Sequence, residues 1–455
     1  MADRKLFGTD GVRGCANEPP ITPEVALRLG RAVARTARKS AGRAPRIVIG
    51  KDTRVSGYML ETALSAGVCA MGGVVLLCGP IPTPAVADLT VSMRADAGIV
   101  ISASHNPFED NGIKIFGPDG FKLPDALEAQ IEQLMESAEL ESDGVVGAKI
   151  GRAERIDDAT GRYIVQLKST FPADLNLTGL KVVVDAANGA AYRVAPAVFA
   201  ELGAEVVPVA CSPNGININK NCGALHPESV AKEVLRRKAD LGIALDGDAD
   251  RLILVDDRGN HVDGDVVMAL YATRQIARRA LPKKTVVATV MSNIGLEKAL
   301  GAAGGKLKRT AVGDRYVVEE MLRHGYRFGG EQSGHLLFLD HATTGDGVLA
   351  ALQVLAIMVR EQRPLSDLTS VMERFPQLLK NARYAEKRPI EQMPLLGKEI
   401  ARCEKKLGED GRVVVRWSGT EPKLRVMVEG PDAKLIARMC DEMLAAAERD
   451  MKTSG

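Results

Sequence analysis

Short runs of β-branched and aliphatic residues alternate with longer helical patterns through most of this sequence. The strands that these runs predict are Arg46–Ile49, Val74–Leu77, Gly98–Ile101, Lys181–Val184, Glu205–Pro208, Leu241–Leu245 and Thr285–Val290. Such alternation predicts parallel sheets joined by crossover helices. The chain therefore falls in the α/β class, and its 455 residues are too many for one hydrophobic core.

One strand–loop–helix pattern occurs three times. The segments RIVIGKDTRVSG, KVVVDAANGAAY and TVVATVMSNIGLEKAL open three similar α/β units near Arg46, Lys181 and Thr285. After them, a helix at 397–407, paired strands at 412–417 and 423–429, and a helix at 431–449 predict an α+β module. Boundaries placed in the polar stretches 139–158, 256–264 and 375–387 give the expected domains 1–155, 156–256, 257–372 and 373–455.

Composition excludes several classes of protein. The chain has 60 Lys and Arg against 58 Asp and Glu, a balance that predicts no bulk attraction to nucleic acid or to an anionic membrane. No apolar run reaches transmembrane length, and the start MADRKLFGTDG lacks the apolar core of a signal peptide. Seven scattered cysteines without metal or disulfide spacing indicate free thiols, so we expect a cytoplasmic protein.

An acidic loop directly follows the predicted strand Leu241–Leu245. Asp246, Asp248 and Asp250 alternate with small residues, and oxygen ligands at this spacing favour a hard divalent cation. A solvated acidic turn is the commonest alternative. A calcium loop of the helix–loop–helix type is excluded, because its sixth position is Arg251 where glycine is required and its flanks are strands.

A second loop follows the predicted strand Gly98–Ile101. Ser104 lies in the turn SASHNP, where a hydroxyl on a stiff loop could act as a nucleophile or phosphate carrier. Lys114 lies on an alternating strand that could return to the same site. An ordinary polar turn and a surface lysine are the alternatives that the sequence leaves open.

Three further segments carry polar groups suited to a sugar phosphate. GGEQSGH places Glu331, Ser333 and His335 on one short loop, and GTDGVRG places Arg13 in a glycine-rich loop. RWSGTEPKLR places three consecutive backbone amides between two arginines, which suits a phosphate, although a plain hairpin would look similar. GKDT at 50–53 is not a nucleotide loop, because the upstream glycine spacing is absent.

Taken in order, GTDGVRG, SASHNP, DGDADR, GEQSGH and RWSGTEPKLR resemble the motifs of the α-D-phosphohexomutases along essentially the whole chain. Gln332 in GEQSGH and the segment VGDRYV at 312–317 resemble the glucosamine branch of that family. The resemblance implies three similar α/β domains and a C-terminal α+β domain around a central cleft.

The resemblance also implies a role for each matching residue. Ser104 is the phosphoserine, Asp246, Asp248 and Asp250 hold one Mg²⁺ together with the seryl phosphate, and Lys114 is the general base. Arg13, Arg251 and His335 lie near the transferring group. The sugar-reading loop comprises Glu331, Gln332, Ser333 and His335, and the clamp for the idle phosphate comprises Arg416, Ser418, Gly419, Thr420 and Arg425.

The activity so implied is isomerisation of a hexosamine phosphate through a glucosamine 1,6-bisphosphate intermediate, feeding UDP-N-acetylglucosamine and cell-wall precursor synthesis. The alternatives are a glucose or mannose phosphate mutase on the same scaffold, a metal-dependent phosphatase, and a phosphosugar sensor, although a sensor needs neither Ser104 nor Lys114. We expect no nucleic acid or membrane partner, and the sequence leaves open whether the chain forms a homodimer.

Overall fold

The computed structural model describes residues 6–8, 10–41, 43–418 and 422–452. Within these ranges the chain forms four β-sheets, of six, five, four and three strands, that follow one another along the sequence. We call the parts that carry them the first unit (residues 12–155), the second unit (159–262), the third unit (264–368) and the C-terminal unit (377–452). The α/β class with a final α+β part is confirmed.

The first unit has a mixed sheet. Its elements are β1 (Val12–Cys15), α1 (Pro23–Ala41), β2 (Arg46–Lys51), α2 (Ser56–Ala70), β3 (Val74–Pro80), α3 (Thr83–Ser92), β4 (Ala97–Ile101), β5 (Asp110–Phe116), α4 (Asp125–Glu136), α5 (Glu139–Ser142) and β6 (Arg152–Arg155). The strand order is β1-β5-β4-β2-β3-β6. Strand β2 runs parallel to β3 and β4, whereas β5 runs antiparallel to β4 and β1.

The second unit has a five-stranded sheet of order β11-β10-β9-β7-β8. Its elements are α6 (Ala159–Ser169), β7 (Lys181–Asp185), α7 (Val194–Glu201), β8 (Glu205–Val209), α8 (Pro227–Arg237), β9 (Leu241–Leu245), β10 (Leu252–Asp256) and β11 (His261–Val262). Strand β11 pairs with Leu254 and Val255, so this sheet continues past the domain boundary expected at 256.

The third unit has a four-stranded sheet of order β13-β12-β14-β15. Its elements are α9 (Gly264–Ala277), β12 (Thr285–Thr289), α10 (Ile294–Ala302), β13 (Lys306–Thr310), α11 (Asp314–His324), β14 (Phe328–Gly330), β15 (Leu336–Phe338), α12 (Gly347–Glu361) and α13 (Leu365–Leu368). Helix α12 is buried along most of its length and contacts α9, β9 and β10, so it joins the third unit to the second.

The same strand arrangement recurs in all three units, which confirms the predicted internal repeat. The orders β5-β4-β2-β3, β10-β9-β7-β8 and β15-β14-β12-β13 are equivalent, and β2, β7 and β12 each lie between two parallel neighbours. In each unit the third parallel strand leads through a loop into an antiparallel strand. These three loops, at 102–109, 246–251 and 331–335, contain the Ser104, aspartate and GEQSGH motifs.

The C-terminal unit has an antiparallel three-stranded sheet with β18 at its centre. Its elements are β16 (Gln377–Arg383), α14 (Pro394–Leu407), β17 (Arg412–Trp417), β18 (Lys423–Glu429) and α15 (Ala433–Lys452). The polar stretch 375–387, expected as a boundary, therefore contains a strand. Among the helices that the structure describes, none is both long and apolar enough to cross a membrane.

Two sequence expectations need correction. The sheets of the three α/β units are mixed and not wholly parallel, because one antiparallel strand follows the third parallel strand in each. Arg13 lies in β1 and not in a loop, since its backbone pairs with Gly112 of β5. The glycine-rich segment was misleading because pairing with β5, which is distant in the sequence, is what makes it a strand.

Candidate active site

The Ser104 loop of the first unit meets the aspartate loop of the second unit in the interior of the protein. Ser104 is 1% exposed, and its Oγ donates a hydrogen bond to Asp246 Oδ2 at 2.5 Å. The backbone at Ser104 has a φ of +53°, a left-handed conformation that is uncommon outside glycine. Its N–H donates to Ser102 Oγ at 2.9 Å, so Ser102 supports the turn and does not compete for the aspartate.

Asp246, Asp248 and Asp250 form a buried cluster. One carboxylate oxygen from each lies within 4.8 Å of the others, and among the described residues this is the one such group of His, Cys, Asp or Glu. Burial, with the added repulsion of Asp250 and Asp248, raises the pKa of Asp246 well above its usual value. The Oδ1 atoms of Asp248 and Asp250 are buried without a hydrogen-bond partner. Unpartnered carboxylate oxygens suit a hard divalent cation, so these residues fit such an ion.

Lys114 reaches the same cluster from strand β5. Its Nζ lies 3.0 Å from Asp248 Oδ2, 3.5 Å from Asp250 Oδ2 and 3.3 Å from Asp10 Oδ2, and the side chain is 1% exposed. Burial works to lower the pKa of this amine, but the three carboxylates outweigh burial and raise it. Asp248 and Asp250 would also hold a divalent cation, and a bound cation would offset the effect of these carboxylates on the amine. The role of Lys114 as general base therefore stays a prediction.

Two histidines beside the cluster have opposite charge states. Burial, together with Arg251 and Arg13, lowers the pKa of His105 to about 4, so its ring is neutral at neutral pH. Arg251 Nη1 donates to His105 Nδ1 at 2.9 Å, which orients the arginine beside Ser104. Burial also disfavours the charged form of His335, but Asp250 and Asp314 raise its pKa to about 9. His335 is therefore cationic at neutral pH.

The GEQSGH loop packs on the backbone of the aspartate loop. Leu252 donates its N–H to the carbonyl of Gly334 at 3.0 Å. Gly334 has a φ of +91°, and a Cβ atom there would lie 2.0 Å from the carbonyl oxygen of Leu252, so only glycine fits. This contact places Glu331 and His335 beside the metal-binding candidates.

A cavity of about 500 Å³ opens next to these groups. It is lined by the predicted residues Arg13, Asp250, Arg251, Glu331 and His335, and by Asp10, Lys122 and Asp314, which the sequence analysis did not select. The predicted residues Gln332 and Ser333 are not among those lining it. The cavity is therefore lined by charged groups of both signs.

The residues missed by the sequence analysis form an ion-pair chain across the cavity. Lys122 Nζ lies 2.6 Å from Asp314 Oδ2 and also contacts Asp10, which in turn pairs with Arg13. Lys122 and Asp314 belong to different units and are far apart in sequence, so no local pattern could link them. The segments GTDGVRG and VGDRYV contain Asp10 and Asp314, and are the signal that could have directed attention to both.

The C-terminal hairpin presents two arginines that lack a described counter-ion. Arg416 and Arg425 face each other in the register of β17 and β18. Burial and the adjacent Arg425 lower the pKa of Arg416, and the Nε atoms of both side chains are buried without a partner among the residues that the structure describes. Ser418 is buried and donates its N–H to the carbonyl of Lys423 at 2.8 Å. The predicted clamp residues Gly419 and Thr420 lie outside the described residues.

Comparison with protein families gives four matches in chain order. The descriptions are phosphoglucomutase/phosphomannomutase alpha/beta/alpha domain I at residues 4–142, domain II at 161–259, domain III at 263–375, and the C-terminal domain at 379–446. Each range contains most of one of the four sheets described above.

Curated relatives match the chain over nearly its whole length. A phosphoglucosamine mutase from Sorangium cellulosum is 65% identical, with 99% of this chain and 94% of the relative covered. One from Anaeromyxobacter dehalogenans is 62% identical, with 97% and 98% covered. These similarities do not favour the glucose or mannose alternative.

Solved structures share the fold. A phosphoglucomutase/phosphomannomutase family protein from Burkholderia thailandensis has a TM-score of 0.82 at 25% identity, covering 99% of this chain and 98% of its own. The Aspergillus fumigatus N-acetylphosphoglucosamine mutase, solved in complex with GlcNAc-6P and magnesium, has a TM-score of 0.71 at 18% identity, covering 98% and 96%. With four domain matches in order and relatives this similar over the whole length, the chain belongs to the phosphoglucomutase/phosphomannomutase family.

Proposed function

We propose that this protein interconverts glucosamine 6-phosphate and glucosamine 1-phosphate, the reaction of a phosphoglucosamine mutase, with Ser104 as the phosphate carrier. The observation that carries the proposal is the buried hydrogen bond from Ser104 Oγ to Asp246, because it brings a hydroxyl to the cluster best suited to a divalent cation. The choice of substrate is supported by the names of relatives 57–65% identical to this chain.

Asp246, Asp248 and Asp250 would hold one Mg²⁺ together with the phosphate on Ser104. When bound, Mg²⁺ supplies positive charge that neutralises the transferring phosphoryl group. Arg251 and the cationic His335 add positive charge from the protein, and Lys114, with its Nζ 3.0 Å from Asp248, would be the general base. Ser104, held in its turn, keeps its oxygen directed at this charge, so the protein contributes position and electrostatics.

The reaction would proceed as two transfers of opposite direction. In the first, the bond between Ser104 Oγ and phosphorus breaks as a free sugar hydroxyl forms a bond to phosphorus and gives up its proton to Nζ of Lys114, the proposed general base. The resulting glucosamine 1,6-bisphosphate turns round, and its other phosphate returns to Ser104. Added bisphosphate would activate protein that lacks phosphate on Ser104. The product would enter UDP-N-acetylglucosamine and cell-wall precursor synthesis.

Recognition of the idle end of the substrate would fall to the C-terminal hairpin. Arg416 and Arg425 carry like charges on facing residues and have buried, unpartnered Nε atoms, which a phosphate would satisfy. Glu331 and His335 line the cavity and would read the sugar, with Gln332 and Ser333 acting on the same loop. Arg13 would stand near the transferring group.

The remaining expectations follow from the same proposal. We propose a cytoplasmic enzyme with domains near 1–155, 156–256, 257–372 and 373–455, the second extended by strand β11 to Val262. Its partners would be small hexosamine phosphates, with neither nucleic acid nor a membrane among them. A homodimer stays a prediction that analytical ultracentrifugation measures directly.

A coupled assay on glucosamine 6-phosphate tests the proposal, run with and without a catalytic amount of the 1,6-bisphosphate. The proposal predicts formation of glucosamine 1-phosphate, stimulation by the bisphosphate, and slower turnover of glucose and mannose phosphates. Release of inorganic phosphate in excess of isomerised product would favour the phosphatase alternative. Equal or faster turnover of the glucose or mannose compound would contradict the substrate assignment.

A further inference from the structure

The segment after strand β2, set aside above as unlike a nucleotide loop, is built around a fully buried arginine. Arg54 is 0% exposed, and its Nε donates to Asp52 Oδ2 at 2.8 Å. The rest of the guanidinium donates to backbone carbonyls. Three of these belong to the Ser104 loop, namely Ser104 and Asn106, each at 2.9 Å, and Pro107. The fourth is Asp110, at the start of β5, at 3.0 Å. One side chain therefore binds most of the loop that carries the reactive serine.

A second donor reaches the same loop from the other side of the unit boundary. Asn219, in the second unit, donates from Nδ2 to the carbonyls of Ser104 at 2.8 Å and Asn106 at 3.0 Å. These are two of the carbonyls that Arg54 also binds. Asn219 is itself fixed, since its N–H donates to the carbonyl of Ala187 at 2.9 Å. Donors from two units thus converge on the same backbone atoms.

The aspartate loop packs directly on this arrangement through Gly247. A Cβ atom at Gly247 would lie 2.5 Å from the carbonyl oxygen of Ser104 and 2.9 Å from Asn219 Nδ2, so no larger residue fits. The serine, the amide and the middle of the aspartate loop are therefore in contact. Ser104 also has a φ of +53°, a conformation that needs support from its surroundings in a residue other than glycine.

We propose that Arg54 and Asn219 are positioning residues that fix the Ser104 backbone against the aspartate loop and so set the geometry for phosphoryl transfer. Ser104 belongs to the first unit and the aspartates to the second, so their separation depends on contacts across the boundary. A misplacement of about 1 Å at a reacting group can slow a reaction about a hundredfold. The inference rests on the proposed role of Ser104 as phosphate carrier.

Other contacts across the same boundary provide a matched control. Thr53 Oγ1 donates to the carbonyl of Asn188 at 2.6 Å, between the same two units, and among the described residues Thr53 has no hydrogen bond to the Ser104 loop. Thr53→Val removes this hydrogen bond at nearly constant volume. If contacts across the boundary mattered only for stability, Thr53→Val and the Asn219 variants would have the same effect on the rate of Ser104 phosphorylation.

The test measures three quantities in the full-length protein: single-turnover phosphorylation of Ser104 by glucosamine 1,6-bisphosphate, affinity for glucosamine 6-phosphate, and the unfolding temperature. Asn219→Ala and Asn219→Asp should slow phosphorylation about tenfold or more per folded molecule, with monophosphate affinity unchanged. Asn219→Gln keeps an amide donor and should recover part of the rate. Arg54→Lys keeps the charge facing Asp52 but loses most carbonyl contacts, and should be slowed in the same way.

Thr53→Val should transfer phosphate at the wild-type rate. A wild-type rate in both Asn219→Ala and Asn219→Asp, or equal slowing in Thr53→Val, would overturn the positioning role. Failure of wild-type Ser104 to take up phosphate would overturn the proposed function and the positioning role together. If wild type is phosphorylated and Ser104→Ala is not, the proposed function stands and the Asn219 variants decide the positioning role alone.

Discussion

Arg425→Met should separate substrate binding from folding in the C-terminal unit. Arg416 and Arg425 are directly opposed across an antiparallel strand pair, and within the described part of the chain the buried Nε atom of each lacks a partner. Opposed like charges in such a pair cost about 0.2–1 kcal/mol. Removing one of them should therefore leave the stability of the unliganded protein unchanged or raise it by up to about 1 kcal/mol.

The affinity for substrate should fall, in contrast to the stability of the unliganded protein. A charge-assisted hydrogen bond contributes about 1.5–3 kcal/mol, which corresponds to roughly ten- to a hundredfold in affinity. Arg425→Met should weaken both glucosamine monophosphates by that factor and release more free bisphosphate per turnover, because one end of the intermediate is held less firmly. Phosphorylation of Ser104 should persist, since Ser104 lies in the first unit.

Isothermal titration calorimetry with glucosamine 6-phosphate and thermal unfolding without ligand measure the two effects. Lys380→Met is the matched control. It removes a cation from the same sheet, but this cation already pairs with Asp441. Wild-type affinity in Arg425→Met, or a loss equal to that in the control, would refute the phosphate clamp.

Three further outcomes are expected. Chelation of divalent cations should lower the unfolding temperature of wild type, because the buried aspartates then repel one another. The decrease should be smaller in Asp246→Asn. Calorimetric scans with EDTA or Mg²⁺ measure the unfolding temperatures of both proteins. Burial, with Asp263 nearby, raises the pKa of Asp265 to about 7. Wild type should therefore lose stability relative to Asp265→Asn as pH rises from about 4 to 7, and no further above that. Denaturant titrations measure the free energy of unfolding across this range, and parallel curves of that energy against pH for the two proteins would contradict the prediction. Cys15 is exposed whereas burial raises the pKa of Cys78 and Cys222 to about 12, so native thiol labelling followed by peptide mapping should modify Cys15 first.

The sequence predicted the central strands well and missed most of the edge strands, with β8 and β17 as the exceptions. Leu241–Leu245, Arg412–Trp417 and Lys423–Glu429 were predicted with the observed bounds. The strands that it missed are β1, β6, β11, β13, β15 and β16, and each lies at the edge of its sheet. An edge strand pairs on one side only and is less covered, so polar residues suffice, as in Arg152–Arg155, which is exposed throughout.

The residues of the candidate site were also predicted unevenly. Ser104 and the three aspartates stand in short motifs after strands, and the chemistry of those motifs is local. The partners of these groups are not local: Arg54 is 50 residues from Ser104 in the sequence, and Asn219 and Lys122 contact residues of another unit. The charge state of Lys114 also could not be predicted, since it depends on three carboxylates that only the fold brings to it.

The central claim is that Ser104 carries the phosphate that moves between substrate and product. Enzyme bearing radiolabelled phosphate on Ser104 should be mixed with unlabelled glucosamine 6-phosphate, and the label followed over time. Our account predicts that the label leaves Ser104 at least as fast as the enzyme turns over and appears in the bisphosphate and then in the monophosphates. Label that stays on Ser104 through many turnovers would contradict the account.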